Sequence, residues 1–180
     1  MGKQNFILRV LFSSGLLFLG FMSLTSDAFE QSSIQSPAKA QEQVQFGTED
    51  PVFLKPVPVP DPVFDALRTL LKAPADEISA DWFQASEVRL SRREKADLIV
   101  AGVGLRGAHN LPFWIFTNVH GEFQLTLATA TDSLTLQGKY RNGYRNIEIS
   151  GFSGDTITTT IYGFDGKRYV RISEKTNPSR

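Results

Sequence analysis

The densest grouping of chemically versatile side chains is Tyr140-Arg141-Asn142-Gly143-Tyr144-Arg145. Arginine and tyrosine are enriched where proteins recognise partners, and the central Asn-Gly is a hairpin-turn dipeptide. Two readings follow. In one, Tyr140, Arg141, Tyr144 and Arg145, with Trp114 or Phe152 nearby, stack on a sugar, a peptide or an aryl ligand. In the other, the tyrosines pack on a sheet rim around the turn and the arginines pair with carboxylates. A second grouping is the loop Leu105 to Asn110, which carries Arg106 and His109. His109 with Asp132 or Asp155 has the residue types of a general base and its partner. Nothing places a nucleophile beside it, and the G-x-S-x-G and H-E-x-x-H patterns are lacking. Gly102 to Gly107 resembles a phosphate loop only in glycine spacing, because Pro112 and an aromatic stretch follow where that mechanism needs a helix N-terminus. With His109 and His120 the only histidines and no cysteine, there is no thiolate, no disulfide and no zinc-ligand spacing. No metal and no cofactor are expected. Asp76, Glu77 and Asp81 read as a solvated turn.

The start of the chain looks like an export signal. Lys3 and Arg9 form a positive region, Val10 to Leu24 is an uncharged apolar run, and Ser26-Asp27-Ala28 offers a cleavage site after Ala28. About 15 apolar residues fall short of the ~20 that cross a bilayer core. Residues 1–28 are therefore read as a signal peptide, with a retained anchor as the alternative, and the destination is periplasmic or secreted. Removing Lys3, Arg9 and Asp27 from 19 basic and 19 acidic residues leaves 17 and 18. So balanced a chain has no global field for nucleic acid. Residues 29–60 read as a disordered and then proline-rich linker, since Pro56, Pro58, Pro60 and Pro62 favour extended backbone.

The elements that would position these groups begin at Asp61. Asp61 is a suitable N-cap, Pro62 a first helical residue, and Phe64, Leu67, Leu70 and Leu71 share one face, so 61–72 is predicted as an amphipathic helix buried on a sheet. From Ser86 the hydrophobic period becomes two. Strands are predicted at 86–90, 97–102, 113–118, 122–128, 133–137, 146–150, 156–163 and 168–173, with turns at His120-Gly121 and Asp165-Gly166. Phe123, Leu125 and Leu127 alternate with Glu122, Gln124 and Thr126, as in a strand with one wet face. Ser91 to Lys95 is a charged turn. The β-rich domain is placed at 61–173, with a tail at 174–180.

Asp97 to Gly102 and Asn146 to Gly151 look like copies, as do the turns at Gly121 and Gly166. Repeats of this length suggest propeller blades, but two cannot close a ring. The expected fold is mainly β, or β-dominated α+β: antiparallel meanders in two blade-like halves forming a small sandwich or curved sheet, with one N-terminal helix. The segments DLIVAG (97–102), FWIF (113–116), NGYRNI (142–147) and YGFDGKRY (162–169) resemble a pattern shared by uncharacterised exported bacterial proteins, and more distantly FG-GAP repeats. The FG-GAP likeness implies a calcium loop before the DLIV strand. Here that loop carries Arg92, Arg93 and Lys95 instead of the oxygen ligands calcium needs. The resemblance brings no activity with it. The functional expectation is a non-catalytic binding module of the bacterial envelope, docking on an envelope protein or a cell-wall component. The alternatives are an inhibitor of a secreted hydrolase, presenting Leu105 to Asn110, and a small hydrolase using His109 and Asp155.

Overall fold

Most strands pair with a neighbour in sequence, and the result is two antiparallel sheets. A computed structural model describes residues 42–72, 74, 77–93, 95–107 and 110–179. The expected signal segment, its cleavage point, the first part of the linker, Asp76 and His109 lie outside the described residues. One sheet has four strands: β2 (Gln84–Val88), β3 (Asp97–Ala101), β4 (Leu111–Val119) and β5 (Glu122–Thr131), in that order. The other has five, in the order β1 (Gln45–Gly47), β6 (Ser133–Arg141), β7 (Tyr144–Ser153), β8 (Thr156–Phe164) and β9 (Tyr169–Pro178). Asp132 alone separates β5 from β6, so the chain changes sheets at one corner.

The fold is the expected β-dominated sandwich. Ile99, Phe113, Ile115 and Leu127 of the first sheet meet Leu134, Leu136, Ile147 and Phe164 of the second in one core. The two halves repeat in register as well as in order. Leu98 faces Phe116 as Ile147 faces Tyr162, and Ala101 faces Phe113 as Ser150 faces Thr159. Sequence offsets of 49 in one strand (98 to 147) and 46 in the other (116 to 162) therefore hold along both pairs.

The helix α1 (Asp61–Leu71) covers the far face of the four-stranded sheet. Asp61 lies inside the first turn, and the carbonyl of Pro60 accepts the N–H of Val63 and Phe64. Lys72 ends the helix in a left-handed conformation, φ 53°. The buried stripe is rotated from the predicted one. Val63 and Leu67 are buried against Leu98, Val100, Trp114 and Phe116, while Leu70 is 44% exposed. No helix among the described residues is long and apolar enough to cross a membrane.

Two boundaries and one strand pattern differ from expectation. Residues 42–60 are packed on the sandwich and do not form a free linker. β1 pairs with β6, Val52 and Phe53 are buried, Phe46 and Phe53 meet edge to face at 5.5 Å, and Val57 donates its N–H to Ala85. The alternating prolines hold an extended backbone, and Val57 and Val59 between them pack on the helix-side core. The expected tail is mostly strand, since β9 pairs with β8 as far as Pro178. The simple alternation of β5 is broken by a bulge. Leu127 faces Ile115 in the core between the sheets, but Leu125 faces Phe116 on the helix side, and the Thr126 hydroxyl donates to the Ile115 carbonyl. The extra residue turns the strand over, as bulges do.

Candidate functional site

Four loops from both sheets converge at one end: β2–β3 (89–96), β4–β5 (120–121), β6–β7 (142–143) and β8–β9 (165–168). Each is tied to a neighbour. Asn142 and Gly143 have φ of 48° and 81°, the two positive values that a tight Asn-Gly hairpin requires. The Asn142 side-chain amide donates to the Phe164 carbonyl at 2.8 Å, joining the β6–β7 and β8–β9 loops of the five-stranded sheet. The Arg145 N–H donates to the Leu90 carbonyl at 2.7 Å, and Ser91 bridges to Tyr144. Inside the β2–β3 loop, Asp97 accepts N–H bonds from Leu90 (3.0 Å), Ser91 (3.3 Å) and Asn118 (2.9 Å). Even so, burial outweighs these bonds and the nearby Arg93, and holds the Asp97 carboxyl above its ordinary range.

The end is basic. Arg92, Arg93, Lys95, Lys139, Arg141, Lys167 and Arg168 are exposed there, with His120, against the exposed carboxylates of Glu122 and Asp165. Backbone N–H groups of Arg168 and Lys167 hold Asp165 below the usual carboxylate range. None of the four ion pairs among the described residues uses the loop cations. Two of them lie instead on aromatic rings: the Arg92 guanidinium is 5.1 Å from the Tyr140 ring centre, and that of Arg93 is 5.6 Å from Tyr144. Beside them, Arg93, Lys95, Asn118 and His120 line an open depression of about 530 Å³.

The structure separates the residues singled out from sequence. Tyr140 and Arg141 are exposed at this end. The Arg141 stem crosses β8 where Gly163 leaves room, since a Cβ there would lie 2.7 Å from Arg141 Cδ. Tyr144 is buried, stacked on Phe164 at 4.2 Å, and burial raises its pKa. Arg145 turns inward: its Nε and Nη2 donate to the carbonyls of Gln137 and Leu136, and Nη1 meets Glu42 at 3.1 Å. It reaches β6 beside the register shift that runs from Leu136 to Tyr140. Trp114 is buried under α1 beside Phe83, away from any ligand. Arg106 and Phe152 belong to the opposite end. Arg106 forks onto Asp50 at 2.8 and 3.2 Å, which lowers the Asp50 pKa. Phe152 sits by the sheet-changing corner, its N–H bonded to Asp132. His109 lies outside the described residues.

Arg92, Arg93, Lys95, Asn118 and His120 were not among the residues predicted for a site. The run SRREK is the signal that could have found three of them. Its cations answer the YRNGYR hairpin, ring by ring. Among the described residues, no three His, Cys, Asp or Glu side chains converge as metal ligands.

Fold and site together define a helix-covered β-sandwich with a basic, hairpin-lined end. Comparison with protein-family models, curated proteins and solved structures returns no match.

Proposed function

We propose that the chain is an exported, non-catalytic binding module of the bacterial envelope that engages an anionic envelope component through its hairpin end. The observation that carries this is the convergence of four loops whose exposed cations have no ion-pair partner among the described residues. Cations held on rings are preorganised, so less side-chain freedom is lost on binding. The motif resemblance and the signal-like start supply the location. The inhibitor reading asks the chain to offer Arg106, which Asp50 already occupies. The hydrolase reading pairs Asp155, in the β7–β8 turn, with His109, which lies outside the described residues, so no observation favours it.

The test is co-sedimentation of the full chain with isolated bacterial cell walls at low and high salt. Binding should weaken with salt and fall at least tenfold in an Arg92→Glu, Arg141→Glu double variant. Retention that is indifferent to both salt and charge reversal would refute the proposal.

A further inference from the structure

We propose that the depression between the β2–β3 loop and the β4–β5 turn is a pocket for a phosphate group on a soluble ligand, with Lys95, Arg93, Asn118 and His120 as its donors. The inference rests on the binding reading above and names the chemistry of one subsite within it.

The donors are placed by the fold. Asn118 Oδ1 accepts the Gly121 N–H at 2.9 Å. That bond fixes the carboxamide and leaves both Nδ2 hydrogens without a protein acceptor among the described residues. Gly121 turns the chain at φ +98°, and a Cβ there would lie 3.2 Å from Lys95 Nζ, so the glycine leaves room for the ammonium above the turn. Arg93 rests its guanidinium on Tyr144. The nearest buried carboxylate, Asp97, gives both its oxygens to backbone N–H groups. It shapes the loop and forms no ion pair with Arg93.

An ammonium, a guanidinium, a carboxamide and an imidazole thus approach one space from two loops and a strand end. A tetrahedral oxyanion has acceptor oxygens facing each of them, whereas a planar carboxylate satisfies a single fork. A soluble ligand is favoured over a bilayer surface. Of the exposed large apolar side chains among the described residues, Tyr140 lies at this end with Arg92 over its ring, while Leu125 and Ile172 sit further along β5 and β9 and form no patch with it. Membrane docking needs apolar side chains to insert.

The experiment titrates the full chain with inorganic phosphate, with acetate at matched ionic strength, and with phosphatidylglycerol vesicles, following the amide resonances of Gly121 and Asn118. Phosphate should shift both saturably and acetate should not. Lys95→Ala and Asn118→Asp should each weaken phosphate about tenfold or more. The aspartate keeps the acceptor for Gly121 and puts an anionic oxygen where the donor was, so it separates binding from folding. Lys95→Arg should retain binding, and Arg68→Ala, which removes a charge on α1, should change nothing. Equal response to acetate, no saturable shift, or equal weakening in Arg68→Ala would overturn the pocket. A response to vesicles alone would overturn the soluble ligand in favour of a bilayer. If phosphate fails while the Arg92→Glu, Arg141→Glu variant still loses cell-wall binding, the pocket is wrong and the binding reading stands.

Discussion

Asp97→Ala removes the side chain that holds the β2–β3 loop. The carboxylate is 1% exposed and accepts three backbone N–H groups. Two of them, on Leu90 and Ser91, are in buried residues. Truncation strands both, at roughly 1–3 kcal/mol each, while the part-buried Asn118 N–H can turn to water. Against that loss stands relief from burying a charge, the same effect that raises the Asp97 pKa. We expect a net loss of about 3 kcal/mol at neutral pH, or roughly 6–12 °C in melting temperature for a domain of this size. Urea unfolding followed by tryptophan fluorescence measures it. The pH dependence has a definite sign. A carboxyl whose folded pKa is raised contributes its full stability below the unfolded value, near 3.8, and loses it as pH rises through the folded value. The advantage of the native chain over the alanine variant should therefore be largest in acid and shrink above that window. A variant within 1 kcal/mol of the native chain, or an advantage that grows with pH, would refute this account.

Leu67→Ala should cost about 3 kcal/mol in thermal unfolding, because Leu67 is fully buried between α1 and the four-stranded sheet. Gly104→Ala should cost roughly 1–3 kcal/mol and perturb tryptophan emission, since the new Cβ would lie 2.5 Å from Trp82 Cγ. Arg145→Met should cost about 2 kcal/mol by denaturant titration, as it removes the guanidinium bonds to the Leu136 and Gln137 carbonyls and to Glu42 beside the register shift. An unchanged midpoint would show that these guanidinium bonds do not stabilise the fold.

Much of this architecture was legible because alternation and turn chemistry agree. Eight of the strands and the repeated half follow from strand-like stretches between turns, and the covering helix from apolar residues at helical spacing. What escaped has identifiable causes. Phe46 and the short run Val52-Phe53-Leu54 are too brief to set a period, and only tertiary packing shows that Phe46, Val52 and Phe53 share a core. Pro56 to Pro62 look the same whether the extended chain is free or docked. The bulge at Thr126 leaves no mark in composition. The site was harder still. Tyr140 and Tyr144 are the same residue type four positions apart, yet one is a surface ring and the other a core ring. By type Arg145 is a recognition residue, but its donors go to β6 carbonyls and to Glu42, neighbours that only the folded strands bring beside it. A net charge near zero hid the segregation of cations to one end, because that end is assembled from four loops distant in sequence.

The inner strands of the four-stranded sheet, β3 and β4, are covered on both faces, with α1 over one and the second sheet over the other. The five-stranded sheet keeps an open outer face and ends in β9, whose residues from Arg171 to Thr176 are exposed. Backbone amides in β3 and β4 should therefore exchange with deuterated solvent only when the whole domain opens, whereas those along β9 should exchange by fraying. Isotope uptake would divide the molecule into a slow centre and a fast margin, with the paired loops of the basic end spanning both.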